Sequence, residues 1–293
     1  MTGPLVSIVV PAHNEAAVIG ANLRRLLEGT TPGEFDVIVV ANACGDRTAE
    51  VAAEAGVRVL ETSIPGKVPA LRLGDEACRT FPRIYLDADV ELTADSVRAL
   101  VRACERPGVL ACAPVPELDL ARVGRLVRRV HRVHDRLIAP MRALAGVGVY
   151  VLTEAGHARV FPMPDVIADD GWVHASFGPD ERVVVAEARS LVRPARTVKA
   201  HLNRRVRVRR GNRQLAGLQR AHAEGGPGLQ RAHAEGGPGL GSLAALLRRR
   251  EVSPVDAACY LSVLVLDRTL SRVRRDRAGW GSDLSTRSAL SMD

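Results

Sequence analysis

The sequence predicts an α/β fold, a mixed and mostly parallel sheet flanked by helices, followed by a C-terminal helical extension. Three observations carry this. The first 115 residues alternate short β-branched runs with helix-like stretches, and repeated β-α-β units imply parallel strands buried on both faces. Beyond residue 240, apolar residues recur at helical spacing with arginines between them. A chain of 293 residues, 46% hydrophobic and 25% charged, is long and apolar enough to bury a sizeable core.

In order, strands are expected at residues 5–10, 36–40, 57–60, 83–86 and 109–113, where Val, Ile and Leu cluster. Helices are expected between them at 16–28, 48–55, 68–78 and 94–106. In such sheets ligands bind beyond the carboxyl ends of the strands. The segments to inspect are therefore 11–15, 41–46 and 87–89. Over 119–137 the apolar positions Val123, Leu126, Val127, Val130, Val133 and Leu137 share one helical face, while Arg122, Arg125, Arg129, Arg132 and Arg136 fill the other. A strand at 146–153 and a loop at Pro162-Met-Pro164 follow.

The segment at 217–227 recurs unchanged at 228–238. A Gly- and Pro-rich period present only twice is no solenoid, and reads as a duplication in a surface loop. It sets the expected organisation: a main domain over 1–215, with halves 1–115 and 116–215, a loop over 216–240, and a helical extension and tail over 241–293. Helices are expected at 242–250 and 255–273, the second running into Arg268, Arg272, Arg274, Arg275 and Arg277.

Composition excludes several classes. Five scattered cysteines without Cys-x-x-Cys spacing argue against a disulfide framework or a zinc site. The net charge of +8 permits anionic partners, including a membrane surface. With 3% aromatic residues there is little for bases to stack on, so no nucleic-acid partner is expected. No apolar run approaches the roughly 18–20 residues of a spanning helix. The first apolar run ends at Pro11 without a basic segment before it, so the expected location is the cytoplasm, with room for peripheral contact at the inner face of the membrane. Gly-x-Gly-x-x-Gly, Walker A, Gly-x-Ser-x-Gly and His-Glu-x-x-His patterns are all missing.

The strongest chemical signal is Asp87-Ala88-Asp89. Side chains two apart on an extended backbone face one way, so two carboxylates stand together at the end of a buried strand. Such hard oxygen ligands suit Mg²⁺ or Mn²⁺ that also takes oxygens from a diphosphate.

Four motifs in sequence, Val6-Ser-Ile-Val-Val-Pro-Ala-His-Asn-Glu15, Val39-Val-Ala-Asn-Ala-Cys-Gly-Asp-Arg-Thr48, Gly66-Lys-Val-Pro-Ala-Leu71 and Leu86-Asp-Ala-Asp89, resemble those of family 2 glycosyltransferases of the GT-A fold. Gly146-Val-Gly-Val-Tyr150 and Asp169-Asp-Gly-Trp172 are similar to the acceptor half of that family, and residues 280–287 resemble a tail of some actinobacterial members. The resemblance implies an inverting, metal-dependent transfer of a sugar from a nucleotide donor, UDP-linked, to a hydroxyl acceptor that is a polysaccharide, a lipid-linked intermediate or a natural product. It implies donor contacts from Pro11, Ala12, Asn14, Glu15, Asn42, Asp46, Lys67, Asp87, Ala88 and Asp89, with Asp87 and Asp89 holding the Mg²⁺ or Mn²⁺. It makes Asp170 the general base and Asp169 the residue that orients it or the acceptor, and it offers a diphosphate contact from Arg207 or Arg210.

The second motif departs from the family, with Ala41, Asn42, Ala43 and Cys44 where relatives carry an acidic pair followed by Gly-Ser. Plainer roles stand beside several of these. Glu15, Asp169 and Asp170 suit the first turn of a helix, Asp46 with Thr48 suits a helix cap, and the basic faces suit plain solvation. His201 is a candidate third metal ligand. Two other functions fit the same core: a nucleotidyltransferase, and a catalytically silent module binding a phosphate-rich partner.

Overall fold

The computed structural model describes residues 3–223 and 240–273. Most of the duplicated segment and the tail at 280–287 lie outside them. The chain runs β1 (Val6–Ala12), α1 (Ala16–Leu27), β2 (Phe35–Asn42), α2 (Thr48–Glu54), β3 (Arg58–Thr62), α3 (Lys67–Glu76), β4 (Arg83–Leu86), β5 (Val90–Leu92), α4 (Ala94–Cys104), β6 (Ala111–Leu118), α5 (Arg125–Ile138), β7 (Val149–Leu152), α6 (Glu154–Val160), α7 (Asp169–Ala175), β8 (Arg182–Val192), α8 (Val198–Ala223), α9 (Leu240–Arg248) and α10 (Pro254–Val273).

One eight-stranded sheet has the order β3-β2-β1-β4-β7-β6-β8-β5. The pairings β3·β2, β2·β1, β1·β4 and β6·β8 are parallel, while β4·β7, β7·β6 and β8·β5 are antiparallel. The α/β class is thus as expected. Side chains alternate across the central strands: Ile8, Val10, Val37 and Val39 enter the core shared with α1, α2 and α4, whereas Val9 joins Val68, Leu71, Tyr85 and Tyr150 on the other face. Helix α3 presses close on that second face, because a Cβ on Gly74 would stand 2.4 Å from Val9 Cγ1 and 3.0 Å from Val40 Cγ2.

Several elements go beyond the sequence expectations, the 26-residue α8 among them. β5 has three residues, too few to show a period, and α6 is a short turn of helix after β7. β8 is the longest of the described strands, and the sequence pattern gives no sign of it. Its fully buried residues, Val185, Ala188, Ser190 and Val192, do not follow a strict period of two, and its pairing with β6 shifts register between Pro114 and Val115. The expected helix at 119–137 begins only at Arg125, after Gly124.

A third apolar cluster joins α5, α8, α9 and α10 through Val130, Val133, Leu137, Leu202, Leu243 and Tyr260. Asp267, fully buried on α10, binds Arg205 at 2.5 Å and Arg209 on α8. Helix α8 continues past residue 215, and its middle packs against the loop before α7. There Gln214 Nε2 donates to Asp165 O at 2.8 Å and its Oε1 accepts from Ile167 N at 2.9 Å. Among the described residues the five cysteines are free thiols, and no helix is long and apolar enough to cross a membrane.

Candidate active site

The parallel strands β1, β2 and β4 deliver their carboxyl ends to one edge of the sheet, with Val9 level with both Ile38 and Tyr85. The loops after β1 and β2 are laced together. His13 Nδ1 meets Asn42 O at 2.7 Å, Asn14 Oδ1 accepts from Gly45 N at 2.8 Å, and Glu15 N donates to Thr48 Oγ1 at 2.8 Å. Asn14 reaches this position at φ +53°, a left-handed backbone that asparagine tolerates better than most residues. Asp46 caps both neighbouring helices, accepting from Thr48 N at 3.0 Å and Ala16 N at 3.1 Å. The capping role that its sequence suggests is therefore real. Glu15 is buried, and Asn42 is buried with its amide donating to Gly66 O, which fixes the approach to α3. Asn42 Oδ1 is buried without a hydrogen-bond partner.

Across the switch from parallel to antiparallel pairing, the chain builds a small pocket lined by Pro11, Lys67, Tyr85, Asp87, Gly148, Tyr150, Asp169 and Asp170. Lys67, in the first turn of α3, places Nζ 2.6 Å from Asp87 Oδ1 and 2.9 Å from Asp169 Oδ2. Asp169 is buried, with Tyr150 Oη 3.5 Å from Oδ2. Asp170 accepts from Gly146 N at 2.5 Å and Gly171 N at 2.8 Å, so its carboxylate is aimed by the loop before β7. Both acids do open α7, as the helix-dipole reading requires, yet both also face Lys67 and the pocket.

Burial opposes charge on Lys67, but Asp169, Asp87 and Asp170 outweigh it and hold the ammonium above its ordinary pKa. Burial pushes the Asp169 carboxyl up, Asp170 and Asp87 push it further, and Lys67 pulls it back, leaving it above the ordinary aspartate value. Burial, and after it Asp169, likewise raises the Tyr150 phenol.

Gly148 is required for this geometry. Its φ is +71°, and an added Cβ would lie 2.7 Å from Val90 Cγ2 and 3.2 Å from Asp87 Oδ2. Its carbonyl accepts Asp87 N at 2.9 Å. On the far side, Asn22 of α1 donates to Ala88 O at 2.7 Å, and Arg193, whose charge acts on Asp89, binds Glu91.

Among the described residues no three His, Cys, Asp or Glu side chains are placed to hold a metal alone. The donor set nonetheless fits a hard divalent ion completed by phosphate oxygens: Asp87 is a half-exposed carboxylate, already drawing a cation to 2.6 Å, with the side-chain-free Gly148 beside Oδ2. His201 is not part of it. Its ring packs edge-on against His131, 5.0 Å away, where α8 meets α5.

The structure thus brings together Pro11, Lys67, Asp87, Asp169 and Asp170, with Ala12, Asn14, Glu15, Asn42 and Asp46 in the adjoining loops and Ala88 and Asp89 on the turn after β4. Arg207 and Arg210 stand exposed on α8 and do not line the pocket. Asn22, Tyr150 and Arg193 are functional candidates that residue-by-residue reading passes over. Asn22 left a signal, an amide on the buried face formed by Ile19, Leu23 and Leu26, and Tyr150 stands at the end of the Gly146–Tyr150 motif.

A model of glycosyl transferase family 2 matches residues 7–138. Uncharacterized glycosyltransferases of Mycobacterium tuberculosis and Mycobacterium bovis are 31% identical over 198 residues, covering 61% of this chain and 88% of the relative. A mannosyltransferase from Pyrobaculum calidifontis, in complex with GDP-Man and Mn²⁺, superposes with a TM-score of 0.59 at 18% identity, over 94% of this chain and 85% of that one. Glucosyl-3-phosphoglycerate synthase from Mycobacterium tuberculosis, in complex with Mn²⁺, UDP-Glc and phosphoglyceric acid, gives 0.50 at 20% identity, over 71% and 78%. At these identities the two solved structures speak for a common architecture.

Proposed function

The chain belongs to glycosyl transferase family 2 and has a GT-A-type fold, and from that premise we propose that it is an inverting, metal-dependent enzyme moving a sugar from a UDP-linked donor to a hydroxyl acceptor. The observation that supports this reading best is the pocket in which Lys67 joins Asp87, on the donor side, to Asp169, beside Asp170.

In this reading Asp170 takes the proton of the acceptor hydroxyl as the anomeric carbon becomes oxocarbenium-like. Gly146 N holds its carboxylate ready for that role, and Asp169 steadies the base and the acceptor through Lys67 and Tyr150. Asp87 and Asp89 would hold Mg²⁺ or Mn²⁺, whose chemistry is electrostatic stabilisation of the departing diphosphate. Pro11, Ala12, Asn14, Glu15, Asn42 and Asp46 line the nucleoside side.

The acceptor we favour is lipid-linked and met at the inner face of the membrane. Arg122, Arg125, Arg132 and Arg136 are exposed around α5, and Leu126 is exposed among them, a face suited to anionic headgroups. Liposomes containing anionic lipid should sediment the protein at low salt; protein left in the supernatant would remove this part of the reading.

The donor reading is tested by calorimetric titration of UDP, and of GDP as competitor, with Mn²⁺ and then EDTA. Metal-dependent UDP binding that disappears in Asp89→Ala supports it. Binding of GDP in preference would move the donor to a guanosine diphosphate sugar, and binding of neither would overturn the catalytic reading.

A further inference from the structure

The pocket holds three carboxylates, Asp87, Asp169 and Asp170, and one ammonium, that of Lys67. That is a formal charge of −3 + 1 = −2 facing a donor that is itself anionic. Lys67 is only partly exposed, and its Nζ lies within 3 Å of both Asp87 and Asp169. Lys67 is also one of two lysines in a chain whose remaining basic side chains are arginines. An ammonium on a four-carbon stem can swing between carboxylates as a point charge, which the planar fork of an arginine does less freely.

Asp87 is one of the two carboxylates that would hold a divalent ion, and it is the one that Lys67 already binds. A cation on Asp87 and the ammonium at 2.6 Å repel each other and compete for the same oxygens. Asp169 supplies the alternative partner, on the catalytic side of the pocket. Resting on the glycosyltransferase reading, we infer that Lys67 is an internal counter-ion that competes with the divalent metal for Asp87, and that once released from Asp87 it is the cation facing the donor diphosphate. Metal and donor then bind cooperatively. Lys67 weakens the metal when the metal binds alone and strengthens the nucleotide when both are present.

The two effects have opposite signs, and neither needs turnover to be seen. The measurement is Mn²⁺ affinity of the full chain, from the free-ion electron paramagnetic resonance signal, without nucleotide and then with UDP. Lys67→Met should bind Mn²⁺ alone roughly ten-fold more tightly, the scale of one removed charge at a partly exposed site, and should bind UDP in the presence of Mn²⁺ roughly ten-fold more weakly. Lys67→Arg, which keeps the charge, should hold Mn²⁺ near the wild-type affinity and guards against a misfolded Met variant. Unchanged or weaker Mn²⁺ binding in a folded Lys67→Met protein would overturn the competition while leaving the glycosyltransferase reading intact. Failure of both wild type and Lys67→Met to bind Mn²⁺ would overturn the metal site and this inference with it.

Discussion

The side-chain amide of Asn22 donates to the carbonyl of Ala88 at 2.7 Å, so that helix α1 grips the peptide between the two carboxylates of Asp87-Ala88-Asp89. Both partners are buried, and a buried acceptor deprived of its donor costs about 1–3 kcal/mol. Asn22→Leu, which keeps the branched shape and removes the bond, should lower stability on that scale and weaken Mn²⁺ binding. Chemical denaturation and metal titration of one preparation check both. A variant with unaltered metal affinity would reduce Asn22 to a packing residue.

Asp170→Asn removes a proton acceptor while keeping the shape that Gly146 N holds. Donor affinity should stay within a factor of about two, whereas transfer should fall by about 10²–10⁴, the usual contribution of a general base. Parallel calorimetry and single-turnover transfer separate the two. Loss of donor binding would assign Asp170 to the donor side.

Gly148→Ala should damage the site from its floor. The positive φ and the 2.7 Å approach to Val90 Cγ2 leave no room for a methyl group, a strain of about 1–3 kcal/mol. The displaced peptide is also the one that accepts Asp87 N. A fall in melting temperature together with weakened nucleotide binding is the expected outcome. Gly29→Ala, also at positive φ (+73°) but with nothing within 4 Å, should cost stability alone.

Three histidines at the α5·α8 junction give the fold an acid-sensitive seam. Burial, with nearby Arg204 and Arg205, lowers His134 to about 4 and His201 to about 3, and burial also lowers His131. In the unfolded chain each titrates near 6.5. Between pH 6.5 and those folded values the unfolded state binds more protons, so stability rises with pH there and is lost as pH falls. Above pH 7 these groups contribute no slope. Calorimetric melting temperatures from pH 7.5 to 5 should fall, and His134→Leu should flatten the profile.

Apart from the three-residue β5, the first 104 residues were legible because the other strands there are β-branched runs and the helices carry a periodic apolar face. Asp87 was placeable from the strand that precedes it, whereas the backbone expected to stay extended through Asp89 instead turns, with Val90 N on Asp87 O, and Asp89 does not line the pocket. Lys67 and Asp169 could be named separately but not joined, since their 2.9 Å contact spans 102 positions and depends on how α3 and α7 pack. The segment at 182–192 went unread as a strand because its buried positions break the period of two at a register shift. Asn42 shows the limit of residue chemistry, since its amide hydrogen-bonds the backbone ahead of α3 as well as being able to meet a ligand. His201 shows another, as an isolated histidine gives no sign of whether its neighbour will be a metal or a second ring.

Helix α8 is a rigid rod of 26 residues, roughly 39 Å long at the usual helical rise. Its middle is bound to α10 through Asp267, which holds Arg205 and Arg209, and a little further along Gln214 holds the backbone of Asp165 and Ile167, just upstream of Asp169. Protein engineers should therefore regard the helices after residue 240 as part of the catalytic unit. A fragment ending at residue 223 would put Val130, Val133 and Leu202 into water, strip Arg205 and Arg209 of their shared carboxylate, and loosen the helix that holds the chain just ahead of Asp169 and Asp170.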